Sequence, residues 1–224
     1  RRIINNMKFE IQRNQMVESQ LRANLVIDET ILDAFSNVER EKYFPEHLQS
    51  VSYIDDNIYL NNKRFFLRPF ILGKLIFNLN LGVEKNVLDV GSCNGYSAAI
   101  LSNLFKKVTC VEEDEDSFNF LTNICKQENL QNVKILKQNF SSTEGLGTLF
   151  DNILINGEIN SDPVNLISHL KLGGKLATII REDRVSFAVI YIKKNNNTFD
   201  KIRIFDASAP LLINYKSKEP VFSF

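Results

Sequence analysis

Asp89, Gly91, Gly95 and Glu112 have the types and the spacing of a ligand-binding turn. Val87-Leu88-Asp89-Val90 reads as a short buried strand, the turn Gly91-Ser92-Cys93-Asn94-Gly95 follows, and a helix is predicted from about Tyr96 to Phe105. Such a turn delivers a ligand to a helix N-terminus, with its free backbone N–H groups and positive dipole end. Glycines four apart let the backbone approach without Cβ obstruction. Glu112 ends a second predicted strand, Val108-Thr109-Cys110-Val111, 21 residues after Gly91. At that separation an acidic side chain accepts hydrogen bonds from a ribose diol. The nicotinamide fingerprint G-x-G-x-x-G is not met, because its third residue is Cys93 and its sixth is Tyr96. S-adenosylmethionine has no phosphates, and its methionine and ribose suit a D-x-G-x-x-x-G pattern, met by Asp89, Gly91 and Gly95. The alternative is an ordinary strand-to-helix turn that holds no ligand, since a short glycine motif alone is not specific.

Other chemistries lack their residues. The two histidines, His47 and His169, are too few and too distant in sequence for a multi-histidine metal site, and neither accompanies a G-x-S-x-G nucleophile. No metal is expected. Cys93, Cys110 and Cys125 form an odd, sparse set without C-x-x-C spacing, as in a reduced, cytoplasmic protein. Lys and Arg total 27 and Asp and Glu total 27, so charge offers no general attraction for nucleic acid or anionic membranes. Neither a membrane-spanning apolar stretch nor the order of a signal peptide is read in the sequence.

The elements that must position the turn are legible in outline. A length of 224 residues suits one large domain with an appendage, so the boundary is placed between a helical and irregular extension, 1–80, and a binding domain, 81–224. In the extension Asp28 is an N-cap before Ile31, Ala34, Phe35 and Val38, and Pro69 opens a second helix with Leu72, Leu75, Ile76 and Leu79. Tyr43 to Phe66 reads as an irregular connection. Strands are then predicted at 87–90, 108–111, 133–136, 152–155 and 176–180, with intervening helices, one of them Pro163 to Leu170, stopping before Gly173-Gly174. Phe187 to Ile192 and Lys201 to Phe205 complete the pattern as a hairpin across Asn195-Asn196-Asn197, asparagine tolerating a left-handed backbone. The fold class is α/β: a mostly parallel sheet ending in an antiparallel hairpin.

With these elements in place the chain resembles the protein-L-isoaspartate (D-aspartate) O-methyltransferases over most of its length. Met16 to Leu21 resembles that family's N-terminal helix, and Ile27-Asp28 to Phe44-Pro45 its "D-x-x-V-L-x-A … V-P-R-E-x-F-V-P" block. Tyr53-Ile54-Asp55 resembles "A-Y-x-D", and Leu88 to Tyr96 resembles "E-I-G-T-G-S-G-Y". Phe150 to Ile155 and Leu170 to Leu176 are similar to "Y-D-A-I-x-V" and "L-K-P-G-G-R-L".

The resemblance implies a Rossmann-like, seven-stranded methyltransferase sheet with the last strand antiparallel. It further implies S-adenosylmethionine as cofactor and, as partner, a damaged protein or peptide carrying an isoaspartyl carboxylate. The candidate cofactor-binding set is Asp89, Gly91, Ser92, Asn94, Gly95, Glu112, Glu113 and Asn139. Departures fall at the site. Leu67 stands where the family's "T-I-S-Q-P" has serine, and Arg68 where it has glutamine. Arg68 is thereby a possible contact for an acceptor carboxylate. Cys93 replaces a glycine, Gln138-Asn139-Phe140 replaces "G-D-G", and Asn156-Gly157-Glu158 replaces small residues. Asn139 is expected at the adenine edge. Weakened or redirected catalysis is one expectation, and a non-catalytic cofactor-binding or interaction protein on the same scaffold is the other.

Overall fold

The computed structural model describes residues 2–212 and 215, so the last stretch of the 81–224 unit, 216–224, lies outside the described residues. The chain opens with α1 (Arg2–Met16), one π-helical turn (Val17–Leu21) and a short 3₁₀ turn. In α2 (Glu29–Asn37) the Asp28 carboxylate accepts from the backbone N–H of Thr30 and Ile31, and Ile31, Leu32, Ala34 and Phe35 are buried. That is the cap and apolar stripe predicted from sequence. The connection after α2 is more regular than expected. It contains two 3₁₀ segments and a two-stranded antiparallel pair, β1 (Ile58–Tyr59) and β2 (Phe65–Phe66), before α3 (Pro69–Phe77).

The sheet begins with β3 (Gly82–Val90), α4 (Tyr96–Ser102), β4 (Phe105–Glu112), α5 (Glu115–Gln127) and β5 (Val133–Lys137). It continues with β6 (Phe150–Ile159), α6 (Val164–Ser168), β7 (Leu170–Glu182), β8 (Val185–Lys193) and β9 (Phe199–Asp206). Strand order is β5-β4-β3-β6-β7-β8-β9. The pairs β3–β4, β4–β5, β3–β6 and β6–β7 are parallel, while β7–β8 and β8–β9 are antiparallel. The reversed strand is therefore β8, and β9 turns back to run with β7.

Chain order reverses at β3, which places the crevice of this sheet beyond the carboxyl ends of β3, β4 and β6. Asn152 fixes the entry to β3, since its side chain accepts from Asn80 N (2.8 Å) and donates to Asn80 O (2.8 Å).

Three local expectations are corrected. The helix predicted to Leu170 ends at Ser168, and Gly173 (φ +73°) and Gly174 lie inside β7, at the irregularity between the Leu170 and Lys175 pairings with β6. The helix predicted to Phe105 ends at Ser102, because Phe105 pairs with Gly82 and starts β4. The Asn195–Asn197 hairpin forms, but through Asn195 Oδ1 accepting from the N–H of Asn197 and Thr198. None of those three asparagines is left-handed, whereas the turn between β7 and β8 uses two left-handed residues, Asp183 and Arg184.

Candidate functional site

The turn after β3 has the conformation its glycines suggest. Gly91 (φ +74°) and Gly95 (φ +96°) are left-handed, and a Cβ on Gly95 would meet Leu121 Cδ1 at 2.5 Å. Cys93 is left-handed as well (φ +53°), the strain that replaces the expected glycine. Its thiol is buried, and burial pushes it up to about 12. Ser92 and Asn94 are also buried and face inward: Ser92 Oγ donates to Asp89 O (3.1 Å) and Asn94 Nδ2 to Tyr43 O (3.0 Å).

Asp89 is a strut beneath the turn. It is fully buried, accepting from Ser97 Oγ (2.7 Å) and Asn156 Nδ2 (2.6 Å). Those bonds join β3 to α4 and to β6. Burial raises its carboxyl above the ordinary value, with both hydrogen bonds opposing. Asn156, read from sequence only as a departure from small residues, is its partner and also donates to Val90 O (3.2 Å).

Glu112 stands at the carboxyl end of β4, where the sequence placed it, but its oxygens are already engaged. Oε2 accepts from Cys93 N (2.8 Å) and Arg64 Nη2 (2.7 Å), and Oε1 from the N–H of Glu113 and Asp114 (both 3.0 Å). The side chains of Glu112 and Arg64 are 0% and 2% exposed. Burial raises the Glu112 carboxyl, with Arg64 and the backbone N–H groups pulling the other way. Arg64 escaped sequence reading. It follows Asn61-Asn62-Lys63 in a stretch that looks solvated, and only the adjoining Phe65-Phe66 hints at burial.

The other candidates also have partners within the chain. Asn139 is exposed, and its Oδ1 accepts from Ser141 N (3.0 Å) and Ser141 Oγ (2.8 Å), capping a local turn. Leu67 is buried, and its carbonyl accepts from Arg40 Nη2 (3.1 Å). Arg68 is committed to an internal carboxylate, with Nε and Nη2 on Asp55 at 3.2 and 2.8 Å.

The cavity bounded by Gly91–Cys93, Tyr96, Phe65–Leu67 and Asn156 measures about 20 Å³, room for about one water. Phe65 and Leu212 crowd Gly157, and Leu212 and Arg64 lie against Gly91. Leu212 is held there by the edge of β6, donating its N–H to Glu158 O (2.8 Å). Among the described residues no group of His, Cys, Asp and Glu has the arrangement of a metal site, and no helix is long and apolar enough to cross a membrane.

Comparison with known proteins agrees with this architecture. A protein-L-isoaspartate O-methyltransferase of Syntrophus aciditrophicus is 28% identical over 198 residues, covering 84% of this chain and 91% of the relative. One from Petrotoga mobilis is 30% identical over 173 residues, covering 76% and 80%. Among solved structures, a Plasmodium falciparum chain assigned as a protein-L-isoaspartate O-methyltransferase, in complex with S-adenosyl-L-homocysteine, superposes with a TM-score of 0.74 at 25% identity, covering 89% of this chain and 97% of that one. The family model for protein-L-isoaspartate (D-aspartate) O-methyltransferase matches residues 11–208, and the chain belongs to that family.

Proposed function

We propose that the chain is an S-adenosylmethionine-dependent methyltransferase acting on protein or peptide carboxylates of the isoaspartyl type. The observation that carries this reading is Glu112, held at the end of β4 beside the left-handed Gly91–Gly95 turn in a chain of this family. The donor set suits the cofactor. Glu112 would take the ribose diol, the Gly91–Gly95 turn the methionine part, and Asn139 the adenine edge. Over the Gly91–Cys93 turn the cavity is only about 20 Å³, while a second cavity of about 520 Å³ is lined by Asn139, Ser141, Ser142 and Thr143. When bound, the cofactor supplies an electrophilic methyl group on a sulfonium.

The residues of this chain have no proton to remove, because a carboxylate acceptor is already an anion at neutral pH. Their task is to place that oxygen and exclude water, an orientation effect. Leu67 contributes shape and no hydrogen-bond donor. Three buried, unpaired thiols favour a reducing, cytoplasmic setting.

Transfer of a labelled methyl group to an isoaspartyl peptide, with release of S-adenosylhomocysteine, tests the activity. Absence of transfer to isoaspartyl and to ordinary protein carboxylates alike would sink it. The placement of Glu112 has its own test. A charge-assisted hydrogen bond contributes ~1.5–3 kcal/mol, so Glu112→Ala should weaken S-adenosylhomocysteine binding about 10- to 150-fold. Calorimetry finding unchanged affinity in the folded variant removes Glu112 from the site.

A further inference from the structure

We infer that Arg64 is the resident occupant of the cofactor cleft, competing with the cofactor for Glu112 and setting the affinity by how readily it leaves. The inference rests on the reading that Glu112 takes the ribose diol. Three observations place Arg64 there.

Its Nη2 spans the two strands that frame the cleft, donating to Glu112 Oε2 (2.7 Å) at the end of β4 and to Gly91 O (3.0 Å) after β3. Those are the carboxylate and the turn that the ligand would use. Its Nε and Nη1 are buried without a hydrogen-bond partner. A guanidinium with five donors and so few bonds is a strained occupant, stabilised by one carboxylate and by ring faces. Its Cζ lies 5.0 Å from the Phe140 centroid and 6.0 Å from that of Phe65. Phe140 stands at the last position of the stretch where the family resemblance has "G-D-G". The ring that seats the arginine is thus one of this chain's departures from the family resemblance.

Arg64 lies on the short β1–β2 hairpin, whose tip, Asn61-Asn62-Lys63, is exposed. Its backbone carbonyl holds that hairpin by accepting from the N–H of Leu60 (2.9 Å) and Asn61 (3.3 Å). A cleft that is competent only when Arg64 has left shows an apparent affinity lowered by the fraction of molecules in which it has left.

Calorimetry with S-adenosylhomocysteine on the full chain, Arg64→Gln, Arg64→Met, Glu112→Gln and the double variant Arg64→Gln/Glu112→Gln tests this. The expected result is binding at least about tenfold tighter in both arginine variants. Their ligand-free melting temperature should be lower and the rise on adding ligand larger. A merely structural arginine would lower the melting temperature without raising affinity. The gain should vanish in the double variant.

If both arginine variants bind no more tightly than the unmodified chain, the inference is overturned; weakened binding in Glu112→Gln alone would then leave the ribose placement standing. A gain that survives loss of Glu112 overturns the ribose placement, and the competition with it. Should neither arginine variant fold, the Arg64 Nε–H resonance of the unmodified chain, a group buried without a partner, decides. A shifted resonance with faster solvent exchange on adding S-adenosylhomocysteine supports departure of Arg64, and an unchanged shift and exchange rate overturn it.

Discussion

Leu67 shows how one side chain sets the chemistry within reach. It lies buried beside Gly91–Cys93, its carbonyl tied to Arg40, so its backbone is anchored while its side chain offers only carbon. A donor aimed at a reacting oxygen is worth about 2.7–4 kcal/mol of transition-state stabilisation, or ~10²–10³ in rate. Transfer to isoaspartyl peptide by the unmodified chain is therefore expected to be slow, and Leu67→Ser should raise the rate by up to that factor at saturating cofactor. A single-turnover rate that stays level or falls in Leu67→Ser, with cofactor affinity unchanged, removes Leu67 from the explanation. Cys93 sits on the same wall with an inert thiol. Burial holds it at about 12, so the thiolate that reacts with alkylating reagents is scarce at neutral pH. Native protein should leave Cys93 unlabelled by iodoacetamide at pH 8 over hours, with full labelling in urea. Rapid labelling of native Cys93 would mean that the turn opens far more often than its packing implies.

At the scale of elements, Arg40 joins the connection after α2 to the site. Its Nε donates to Ser52 O (2.6 Å), its Nη2 to Leu67 O (3.1 Å), and its Cζ lies 4.5 Å from the Tyr96 centroid at the start of α4. Arg40→Met keeps much of the volume but orphans two buried carbonyls, each at about 1–3 kcal/mol. Unfolding free energy should fall by about 2–6 kcal/mol, and the melting temperature by at least about 4 °C for a chain of this size. A drop under about 2 °C would show that water replaces the guanidinium at both carbonyls. Sequence foresaw the elements whose signals are local: the Asp28 cap, the Gly91–Gly95 turn, the parallel strands and the closing hairpin. What it missed has partners far along the chain. Arg40 and Arg64 are charged residues in polar surroundings, and neither 3.6-residue nor two-residue periodicity marks a cation whose acceptors lie 27 or 48 positions away. The same blindness left Glu112 and Arg68 apparently available, when Arg64 and Asp55 already hold them.

For the whole molecule, the buried charges of the cleft make stability depend on pH through Asp89. This carboxylate joins β3, α4 and β6, so its ionisation state is felt by the central strands of the sheet. Burial raises its folded-state pKa above the ordinary 3.8, with Ser97, Asn156 and the more distant Arg64 opposing, and Cys110 lies 4.0 Å away. A raised carboxyl pKa means that the folded state binds the proton more tightly than the unfolded chain. Its contribution is therefore complete below about 3.8 and is lost as pH rises through the folded value, each tenfold difference in proton affinity corresponding to about 1.4 kcal/mol. Asp89→Asn removes that titration while retaining the shape. The amide oxygen accepts from Asn156, and the amide N–H donates to Ser97 Oγ, a hydroxyl able to accept. The expected outcome is a pair of stability curves that coincide near pH 3.5 and separate in favour of Asp89→Asn as pH rises towards 7. Glu112 and Arg64 are common to both proteins and largely cancel in the difference. Urea unfolding at several pH values measures it. A difference that stays constant with pH, or that favours the unmodified chain at neutral pH, would mean that the two hydrogen bonds outweigh burial and that Asp89 is held ionised.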